Sequence, residues 1–515
     1  MDVDSSTSSP RSSILPQILF FLSLSYAIIH LIRTYKRLDY IPGPFWARLT
    51  NLPRVSWVNT GHAHTIHASL HEKYGDVVRF GPNMVSLQDP AWINTVYPSR
   101  TGVKKSEFYR TLAPYTPSGA LPAVFSSRDE DVHKRLRGPI APLYSMSKVL
   151  PLEGFIDRTL DVMTGELDRR FVGAQGQGQG GGKCDLAAWL QFFAFDVMGT
   201  LTFSKRYGFL ERGEDVKGML ETIWGFLKGA APFTQIPWVD EIWNKNALVT
   251  KLKGATGFSI LGIVGKFVAQ RQEESRAGKV HETVDRDMLS TFMEIQKKNG
   301  LPPWFVTAWT FSNITAGSDS TAVVMKTVFY NLLSYPSTLA KLRMELLSAA
   351  NALPNGFSKP YPSWKDVCGL PYLDACVLEA LRLHPPFCLP FERIVPRGGM
   401  MLGDNYFPEG TVVGMSPWVV NRHKPTFGKD ADIWNPGRWM VDRTLKNKRE
   451  AAVLTFGAGR RVCLGRHIAM LELKKIVPAL VLRYDFELVD PKQLQVENYW
   501  FFRQHGMDVR VKKRV

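Results

Sequence analysis

The chain has 515 residues, of which 45% are hydrophobic and 22% charged, a composition that excludes disordered and collagen-like proteins. Its 64 Lys and Arg residues outnumber its 47 Asp and Glu residues, so the formal net charge is +17. This charge permits an acidic partner, a phosphate-rich surface or nucleic acid and selects none of them. The five cysteines have irregular spacing with no CxxC pair and no zinc pattern. A reducing compartment is therefore favoured, and any metal chemistry must rest on a single thiolate.

The first predicted element is a transmembrane helix at residues 14–32. This stretch carries no charge and has about the length that crosses a bilayer. A secretory signal is excluded, because its apolar part is shorter and ends at a small-residue cleavage site. Arg33, Lys36 and Arg37 follow directly, so the positive-inside rule predicts a luminal tail at residues 1–13 and a cytosolic body. A buried core helix is the alternative.

The region after the anchor is predicted to be a basic and Pro-rich hinge at residues 33–45. Pro42 and Pro44 fix the backbone and exclude a helix at its end. The remaining residues, 46–515, are predicted to form a single catalytic domain.

The body is predicted to be mainly α-helical with small β-sheets at its edges. Residues 76–80 and 84–87 resemble a β-hairpin. Apolar periodicity predicts helices at residues 150–171, 186–203, 248–272, 302–333, 337–350, 373–383 and 468–482. Further strands are predicted at residues 391–395, 411–414 and 507–511. The Gly-rich stretch 173–182 is predicted to be a loop tip, and the aromatic-rich stretch 210–243 a lid, a membrane contact or ordinary core.

The most informative segment for chemistry surrounds Cys463. It is Phe456-Gly-Ala-Gly-Arg-Arg-Val-Cys-Leu-Gly465, followed by a helical pattern. Glycines let the backbone approach a flat ligand, while a helix amino terminus and Arg461 would lower the pKa of the thiol. A thiolate ligand to haem iron requires such surroundings. The alternative is a buried, inert cysteine in a Gly-rich turn.

The segment resembles the haem-binding loop of the cytochrome P450 haem-thiolate monooxygenases. The match is Phe-x-x-Gly-x-Arg-x-Cys-x-Gly at Phe456, Gly459, Arg461, Cys463 and Gly465. The resemblance implies the cytochrome P450 fold and haem b, iron protoporphyrin IX, as cofactor. It also implies that Cys463 is the axial ligand of the haem iron and that the other four residues bind the haem.

A second resemblance is Glu379-x-x-Arg382, where two side chains one helical turn apart can pair. The spacing alone means little, because it recurs at Glu107/Arg110, Glu166/Arg169 and Glu273/Arg276. In the family this pair joins an Arg from a Pro-Glu-Arg-Phe-like segment to brace the haem loop. Here that segment is Pro-Gly-Arg-Trp with Arg438 in place, so the resemblance implies a brace of Glu379, Arg382 and Arg438. Gly437 replaces the usual Glu, with an effect the sequence leaves open.

A third resemblance is the segment 316–321, Ala-Gly-Ser-Asp-Ser-Thr, within the predicted helix 302–333. Small residues in mid-helix lower helix propensity. Room beside a large ligand and close helix packing are both open explanations. In the family this pattern crosses the haem face where oxygen binds, which implies that Asp319 relays protons and that a hydroxyl steadies dioxygen. Ser320 occupies the usual Thr position and Thr321 follows, so either hydroxyl could serve.

Further residues are implied at the rim of the haem and in the substrate space. His133-x-x-x-Arg137 resembles the helix whose basic residues meet a haem propionate, and Arg393 resembles another propionate contact. Family topology alone implies the substrate-facing positions Tyr109, Phe311, Ala316, Phe387, Leu389 and Phe501.

Together these resemblances imply a membrane-anchored monooxygenase that inserts one atom of O2 into an apolar small molecule. Outside the Gly-rich stretch 173–182, where Gly176, Gly178 and Gly181 have the spacing by composition alone, the chain has no Gly-x-Gly-x-x-Gly nucleotide fingerprint. The implied electron donor is therefore NADPH-cytochrome P450 reductase. A basic face of Arg460, Arg466, Lys474 and Lys475 is one candidate docking surface. The anchor, the hinge and the stretch from Tyr97 to Tyr109 resemble fungal members of the pisatin demethylase and benzoate hydroxylase type. This resemblance implies secondary metabolism at the endoplasmic reticulum membrane.

The alternatives are a haem-thiolate isomerase or dehydratase that needs no external electrons, and a non-catalytic haem-binding protein. Nucleic-acid binding is not expected, because no recognised motif accompanies the basic charge and a membrane anchor fits it poorly.

Overall fold

The helices form most of the body. The computed structural model describes residues 11–100, 103–116, 119–172, 182–246, 260–277 and 287–514. Its longer helices are α1 (Arg11–Arg37), α2 (Leu52–Asn59), α3 (Ala63–Tyr74), α4 (Glu130–Arg137), α5 (Glu153–Leu167), α6 (Leu186–Phe203), α7 (Met219–Ala230), α8 (Ile260–Arg276), α9 (Met288–Lys298), α10 (Trp304–Ser334), α11 (Pro336–Asn351), α12 (Pro371–Leu383), α13 (Arg443–Ala452) and α14 (Arg466–Arg483). Short helical segments connect them, among them Phe45–Leu49, Phe108–Thr111 and Pro237–Trp243.

The strands are short and lie at the edges of the helical body. They are β1 (Val77–Gly81), β2 (Met84–Leu87), β3 (Tyr115–Thr116), β4 (Gly119–Ala120), β5 (Lys183–Asp185), β6 (Arg393–Ile394), β7 (Met400–Leu402), β8 (Asn405–Phe407), β9 (Val412–Met415), β10 (Tyr484–Leu488), β11 (Gln495–Tyr499), β12 (Phe501–His505) and β13 (Asp508–Lys513). The largest sheet has the order β1-β2-β9-β6, and a second has the order β10-β13-β5. The antiparallel β1–β2 pair confirms the predicted hairpin. A mainly helical body with small sheets is the predicted fold class.

The core of the molecule is built around α6 and α10, which pack along each other. α6 is apolar around its whole circumference, and nearly all its side chains are buried. α10 also contacts α8, α9, α12 and α14, so it runs through the centre of the body. Because these helices meet around α10, residues far apart in sequence converge on its middle.

Two predicted helices differ from the observed ones at their ends. The prediction 150–171 is α5 preceded by a 3-10 turn at Leu150–Leu152, because Pro151 cannot donate a helical hydrogen bond. A π-helical turn, Asp168–Val172, follows it. The prediction 248–272 corresponds to α8, and its first part lies outside the described residues. Most of the predicted loop tip 173–182 and of the tail 1–13 also lies outside them.

The predicted anchor lies within α1, whose side chains from residue 16 to residue 33 are exposed. By length and composition Pro16–Arg37 is a candidate membrane span. The buried-core alternative is therefore wrong for this segment. A second apolar helix, α6, passes the same test but is 89% buried and belongs to the core.

The end of α1 is fastened to the body by Arg79 on β1. This side chain is fully buried and donates hydrogen bonds to the carbonyl oxygens of Tyr35, at 2.9 Å, and Thr34, at 2.7 Å. Carbonyls in the last turn of a helix have no partner within the helix, so Arg79 satisfies two of them. The backbone N–H of Arg79 also donates to Pro42 O at 2.7 Å. The hinge is thus held against the first sheet.

Candidate active site

A large internal cavity lies between the middle of α10, helix α4 and the loop that carries Cys463. Together with the open solvent at its mouth, it holds about 1550 Å³ that protein atoms do not fill. Much of the wall is apolar and aromatic, with Phe125, Ile140, Trp309, Phe387 and Phe391 among its residues. A cavity with such a wall is suited to a large, mainly apolar ligand.

The loop before α14 holds Cys463 at the cavity wall. Gly457 and Gly459 have φ of +66° and +61°, a backbone conformation that favours glycine. A Cβ on Gly459 would overlap the carbonyl oxygen of Tyr97 and lie 2.7 Å from that of Pro98. Gly459 itself is behind the wall, so it shapes the loop without lining the cavity. The N–H of Cys463 donates to Phe456 O at 2.8 Å, which closes the loop and presents both side chains to the cavity.

The sulfur of Cys463 faces the cavity while protein surrounds it on the other sides. Its accessible surface opens into the cavity and not to bulk solvent. Burial raises the pKa of the Cys463 thiol, and the backbone N–H groups of Gly465 and Arg466 and the guanidinium groups of Arg137 and Arg466 lower it. Arg461 was expected to lower this pKa, but its guanidinium is turned to Glu130, at 2.6 Å. The cations that favour the thiolate are therefore Arg137 and Arg466.

The other four cysteines do not line this cavity. Cys184, Cys376 and Cys388 are buried in the core, and Cys368 is exposed. Among the described residues there is also no group of three or more His, Cys, Asp or Glu side chains that could hold a metal ion. Cys463 is thus the cysteine placed to bind a metal-containing group in the cavity.

One side of the cavity wall is strongly basic. It contains Lys105, His133, Arg137, Arg393 and Arg461, of which His133, Arg137, Arg393 and Arg461 were predicted. The sequence reasoning missed Lys105, whose side chain is 3% exposed and donates to Phe125 O. The pKa of Lys105 is held well below its usual range, first by burial and then by repulsion from Arg393 and Arg461.

Within the part of the chain that the structure describes, Arg461 is the one cation of this wall that forms an ion pair with an acid. Glu130 pairs with Arg461, while Arg393 donates to Glu392 O at 2.9 Å and Tyr109 Oη at 3.3 Å. Arg137 donates to Val462 O at 2.8 Å, directly beside the cysteine. Repulsion among these groups is relieved by an anionic ligand. A flat cofactor with carboxylate groups on one edge, such as haem with its two propionates, fits this wall.

The middle of α10 forms another part of the cavity wall. Ala316, Gly317, Ser320 and Thr321 line the cavity. A Cβ on Gly317 would lie 2.7 Å from Met198 Sδ on α6. The small residues therefore serve both purposes that the sequence left open, close helix packing and open space beside a ligand. The hydroxyls of Ser320 and Thr321 donate to carbonyls one turn earlier, at 2.6 and 2.8 Å, so both can accept a hydrogen bond from the cavity side.

Asp319 lies behind this wall, in a network with α6. Gln191 on α6 donates from Nε2 to Asp319 Oδ1 and accepts from Lys326 Nζ at 2.5 Å. Burial raises the pKa of Asp319 to about 6, while Lys326 and Gln191 act in the opposite direction. Burial also lowers the pKa of Lys326 to about 8. The sequence did not predict that Gln191 and Lys326 would contact Asp319's network, because neither residue belongs to a local motif.

The predicted brace is present and lies outside the cavity. Glu379 and Arg382 are both 0% exposed and form two hydrogen bonds, at 2.8 and 2.9 Å. Glu379 also accepts from Trp439 Nε1 at 2.9 Å and lies 3.4 Å from Arg438 Nε. Arg438 pairs in addition with Asp430, at 2.9 Å, and lowers the pKa of that carboxyl to about 2. The three predicted members meet, and Asp430 supplies an acid to Arg438 beside Gly437.

Three of the six residues predicted to face the substrate line the cavity. Tyr109, Ala316 and Phe387 line the cavity. Phe311, Leu389 and Phe501 are not among its lining residues. Phe501 packs on the ring of Phe387, 4.6 Å between centroids, and so supports the wall from behind.

The predicted basic docking face is only half present. Arg460 and Arg466 are exposed. Lys474 and Lys475 are buried and pair with Asp374, at 2.5 Å, and Asp157, at 2.7 Å. The prediction that Lys474 and Lys475 belong to the docking face is therefore wrong, because their positions on α14 direct both side chains towards the protein interior.

The aromatic-rich stretch 210–243 divides between core and surface. Trp224 is 9% exposed, whereas Phe226, Trp238 and Trp243 are exposed by more than half, at 55%, 65% and 57%. Core packing therefore explains Trp224 and not the other three.

Comparisons with known proteins agree with this site. The family model for cytochrome P450 matches residues 41–505. The chain is 78% identical over 501 residues to cytochrome P450 monooxygenase pkfB of Emericella nidulans, covering 97% of this chain and 96% of that one. It is 59% identical over 510 residues to cytochrome P450 monooxygenase asR2 of Sarocladium schorii, covering 98% of each. It is 52% identical over 501 residues to cytochrome P450 monooxygenase AFLA_114810 of Aspergillus flavus, covering 96% and 97%. A single cysteine facing a large cavity with a basic wall, together with these matches, shows that the chain belongs to the cytochrome P450 family and that its cofactor is haem.

Proposed function

We propose that the protein is a haem-thiolate monooxygenase that inserts one atom of O2 into an apolar small molecule by hydroxylation, epoxidation or multi-step oxidation. The observation that carries the proposal is that Cys463 and the hydroxyls of Ser320 and Thr321 face one apolar cavity. When bound, a haem with a thiolate ligand supplies the activation of O2 and favours cleavage of its O–O bond. The relatives' printed names, all cytochrome P450 monooxygenases, support the same reaction class.

In this proposal Cys463 would hold the haem iron, and Phe456, Gly459 and Gly465 shape the loop that presents its sulfur. His133, Arg137, Arg393 and Arg461 would hold the propionates, with Lys105 as an additional hydrogen-bond donor. Burial lowers the pKa of His133 to about 3, with Arg461 and Lys105 adding repulsion, so His133 acts there as a neutral hydrogen-bonding group. Aromatic residues such as Trp309 and Phe387 exclude water and bind the apolar substrate.

Asp319 and a hydroxyl of α10 manage the protons of the reaction. Asp319 Oδ1 accepts the Gln191 amide, so Oδ2 is the oxygen that would take up and release a proton. Of the two hydroxyl residues, Thr321 is 3% exposed, whereas Ser320 has more of its surface open to the cavity. We assign the oxygen-side hydroxyl to Ser320. Ser320→Ala is expected to raise peroxide release per NADPH consumed, while Thr321→Val, the matched variant, leaves it near the wild-type value. A rise of peroxide release in Thr321→Val but not in Ser320→Ala would assign the oxygen-side hydroxyl to Thr321 instead.

The central test is the carbon-monoxide difference spectrum of the reduced protein. A thiolate-ligated haem gives a strongly red-shifted Soret band. This band is expected in the wild type and in Cys368→Ser, which changes an exposed cysteine away from the cavity. Cys463→Ser is expected to abolish it. A band that survives in Cys463→Ser would refute the assignment of the ligand.

The electron donor is proposed to be NADPH-cytochrome P450 reductase, with Arg460 and Arg466 on the docking face. Product formation is expected only when the reductase and NADPH are both present. Product formed without them would favour the isomerase or dehydratase alternative. A thiolate-type spectrum without turnover of any compound in extracts of the producing organism would favour a non-catalytic haem protein.

The protein is proposed to sit in the endoplasmic reticulum membrane as a single-pass protein, with α1 as anchor and the catalytic domain in the cytosol. The exposed apolar surface of α1 supports this placement. Protease added to intact microsomes is expected to digest the catalytic domain. Protection of that domain would contradict the orientation. A role in fungal secondary metabolism is proposed from the fungal relatives, and oxygen gain by compounds in fungal extracts, followed by mass spectrometry, tests it.

A further inference from the structure

Helix α10 presents three hydroxyl groups to the cavity, and one of them has no role in the reaction outlined above. Ser320 and Thr321 belong to the oxygen-side pattern, whereas Ser312 lies about two helical turns earlier. The eight residues from Ser312 to Ser320 correspond to about 12 Å along the helix axis. These two hydroxyls therefore face different parts of a molecule bound along α10.

The hydroxyl of Ser312 is free only to accept a hydrogen bond from a ligand, because its hydrogen is already used. Its Oγ donates to the carbonyl oxygen of Ala308 at 2.7 Å, as serines within helices commonly do. The side chain is partly exposed, and it lines the cavity. No protein group in the described ranges donates to Ser312 Oγ. Its remaining lone pairs are thus open to the cavity.

The neighbours of Ser312 on the cavity face offer no free donor. Positions three and four residues apart are adjacent on a helix, which places Ser312 between Trp309 and Ala316 in the cavity wall. The indole N–H of Trp309 is occupied, because it donates to Leu136 O at 2.8 Å. Ser312 is therefore a hydrogen-bond acceptor between apolar surfaces.

The next residue on α10, Asn313, is engaged at both ends of its amide. Its Oδ1 accepts a hydrogen bond from Tyr144 Oη, and its Nδ2 donates to Met288 Sδ at 3.3 Å. The hydroxyl hydrogen of Tyr144, which also lines the cavity, is thereby used as well. The hydroxyls of Ser312 and Tyr144 both accept and do not donate, so this part of the wall selects for a donor.

A ligand without a donor would cover the lone pairs of Ser312 and leave them without a partner. Such a loss costs free energy, and it lets a site reject analogues that lack the matching group. We propose that Ser312 is a specificity-determining residue, and that the substrate is an apolar molecule with a hydroxyl or N–H group that donates to Ser312 Oγ. Ethers and carbonyl compounds of similar shape lack this contact, because they only accept. The substrate class rests on the proposed monooxygenase function, whereas the contact itself does not.

The contact is tested in the ferric holoenzyme, without reductase or NADPH, by the change of the Soret band on titration with two probes. These are 4-hexylphenol and 4-hexylanisole, which share one apolar frame, although only the phenol donates a hydrogen bond. The ratio of their dissociation constants is compared between the wild type and variants. Differences in the hydration of the two probes cancel in this comparison.

Ser312→Ala is expected to lower the preference for the phenol by about fivefold, the factor that corresponds to one lost hydrogen bond of about 1 kcal/mol. Ser312→Thr retains the hydroxyl and is expected to keep the wild-type preference. The matched control is Ser318→Ala. Ser318 also donates to a carbonyl one turn earlier, Ile314 O at 3.2 Å, but it is 0% exposed and does not line the cavity. Its variant is expected to keep the preference.

An unchanged preference in Ser312→Ala, or an equal loss in Ser318→Ala, would overturn the proposal. Weaker binding of the anisole alone in Ser312→Ala would also overturn it, because Ser312 would then be a donor. A wild type whose Soret band does not respond to 4-hexylphenol would overturn the substrate class. If Ser312→Ala fails to bind haem, Ser312→Val is compared with Ser312→Thr, which has nearly the same shape, and the same outcomes decide.

These outcomes are separable from those of the proposed function. The carbon-monoxide spectrum and reductase-dependent turnover of the wild type test the monooxygenase, whereas the probe titrations require ferric haem alone. In turnover of a substrate of this class, Ser312→Ala is expected to raise KM and to leave kcat near the wild-type value. The reason is that a contact made equally in the ground state and the transition state contributes to binding and not to the chemical step.

Discussion

The buried pair of Glu379 and Arg382 allows the sharpest prediction about stability. Substitution Glu379→Gln keeps the size of the side chain and removes its charge. The guanidinium of Arg382 would then be buried without its carboxylate, although it still donates to Asn421 O and Ala431 O, at 2.9 and 2.6 Å. Trp439 Nε1 and the N–H of Asn435, which donate to Glu379 at 2.9 and 3.1 Å, would also lose a charged acceptor.

The expected cost is about 3–5 kcal/mol of unfolding free energy, the usual loss when one partner of a buried ion pair is removed. This is a large part of the roughly 5–15 kcal/mol that stabilises a typical protein. The matched control is Glu107→Gln, because Glu107 and Arg110 have the same spacing and form an ion pair with side chains 49% and 50% exposed. An exposed pair of this kind contributes about 0–1 kcal/mol.

Urea denaturation of the holoenzyme, followed by tryptophan fluorescence and by the haem Soret band, measures both variants. Glu379→Gln is expected to lower the denaturation midpoint strongly and Glu107→Gln slightly. Equal shifts in the two variants would refute the reasoning, because burial would then add nothing to the pair. Loss of the Soret band before the fluorescence change in Glu379→Gln would locate the damage in the haem loop.

Two further predictions concern the loop and the proton network. Gly459→Ala is expected to abolish haem incorporation, because the added Cβ overlaps the Tyr97 carbonyl. The Cβ added in Gly457→Ala would have no neighbouring atom nearer than 3.9 Å, so this variant is expected to retain haem with reduced stability. The haem-to-protein absorbance ratio measures both variants, and equal ratios would contradict the steric argument. For Asp319, burial raises the pKa from 3.8 to about 6, so its contribution to stability is complete below pH 3.8 and is lost as pH rises to about 6. Asp319→Asn is expected to remove this dependence of stability on pH. The urea midpoints of the variant and the wild type should therefore diverge between about pH 4 and pH 6 and run parallel above pH 6. Parallel curves over the whole pH range would show that Asp319 is not buried as described.

Local pattern predicted much of the fold. The hairpin of β1 and β2 was predicted from alternating residues around a Gly-Pro-Asn turn, and α6 and α10 from long apolar periodicity. Where the prediction erred at α5, the deviation lies at Pro151, which periodicity alone does not weigh. The position of α1 outside the body followed from its length and lack of charge.

The sequence by itself identified the cysteine loop, because five positions within ten residues match the haem-binding loop of the family. It also determined which residues are one helical turn apart. The family resemblance had already selected Glu379 and Arg382 among the Glu-x-x-Arg pairs. Only the tertiary structure decided which basic residues turn inward, as Lys474 and Lys475 do, and that Lys105 joins the cavity wall. The physical reason is that spacing fixes geometry within one element, whereas burial and pairing depend on elements that are distant in the chain, such as α6 and α10 at Gln191 and Asp319.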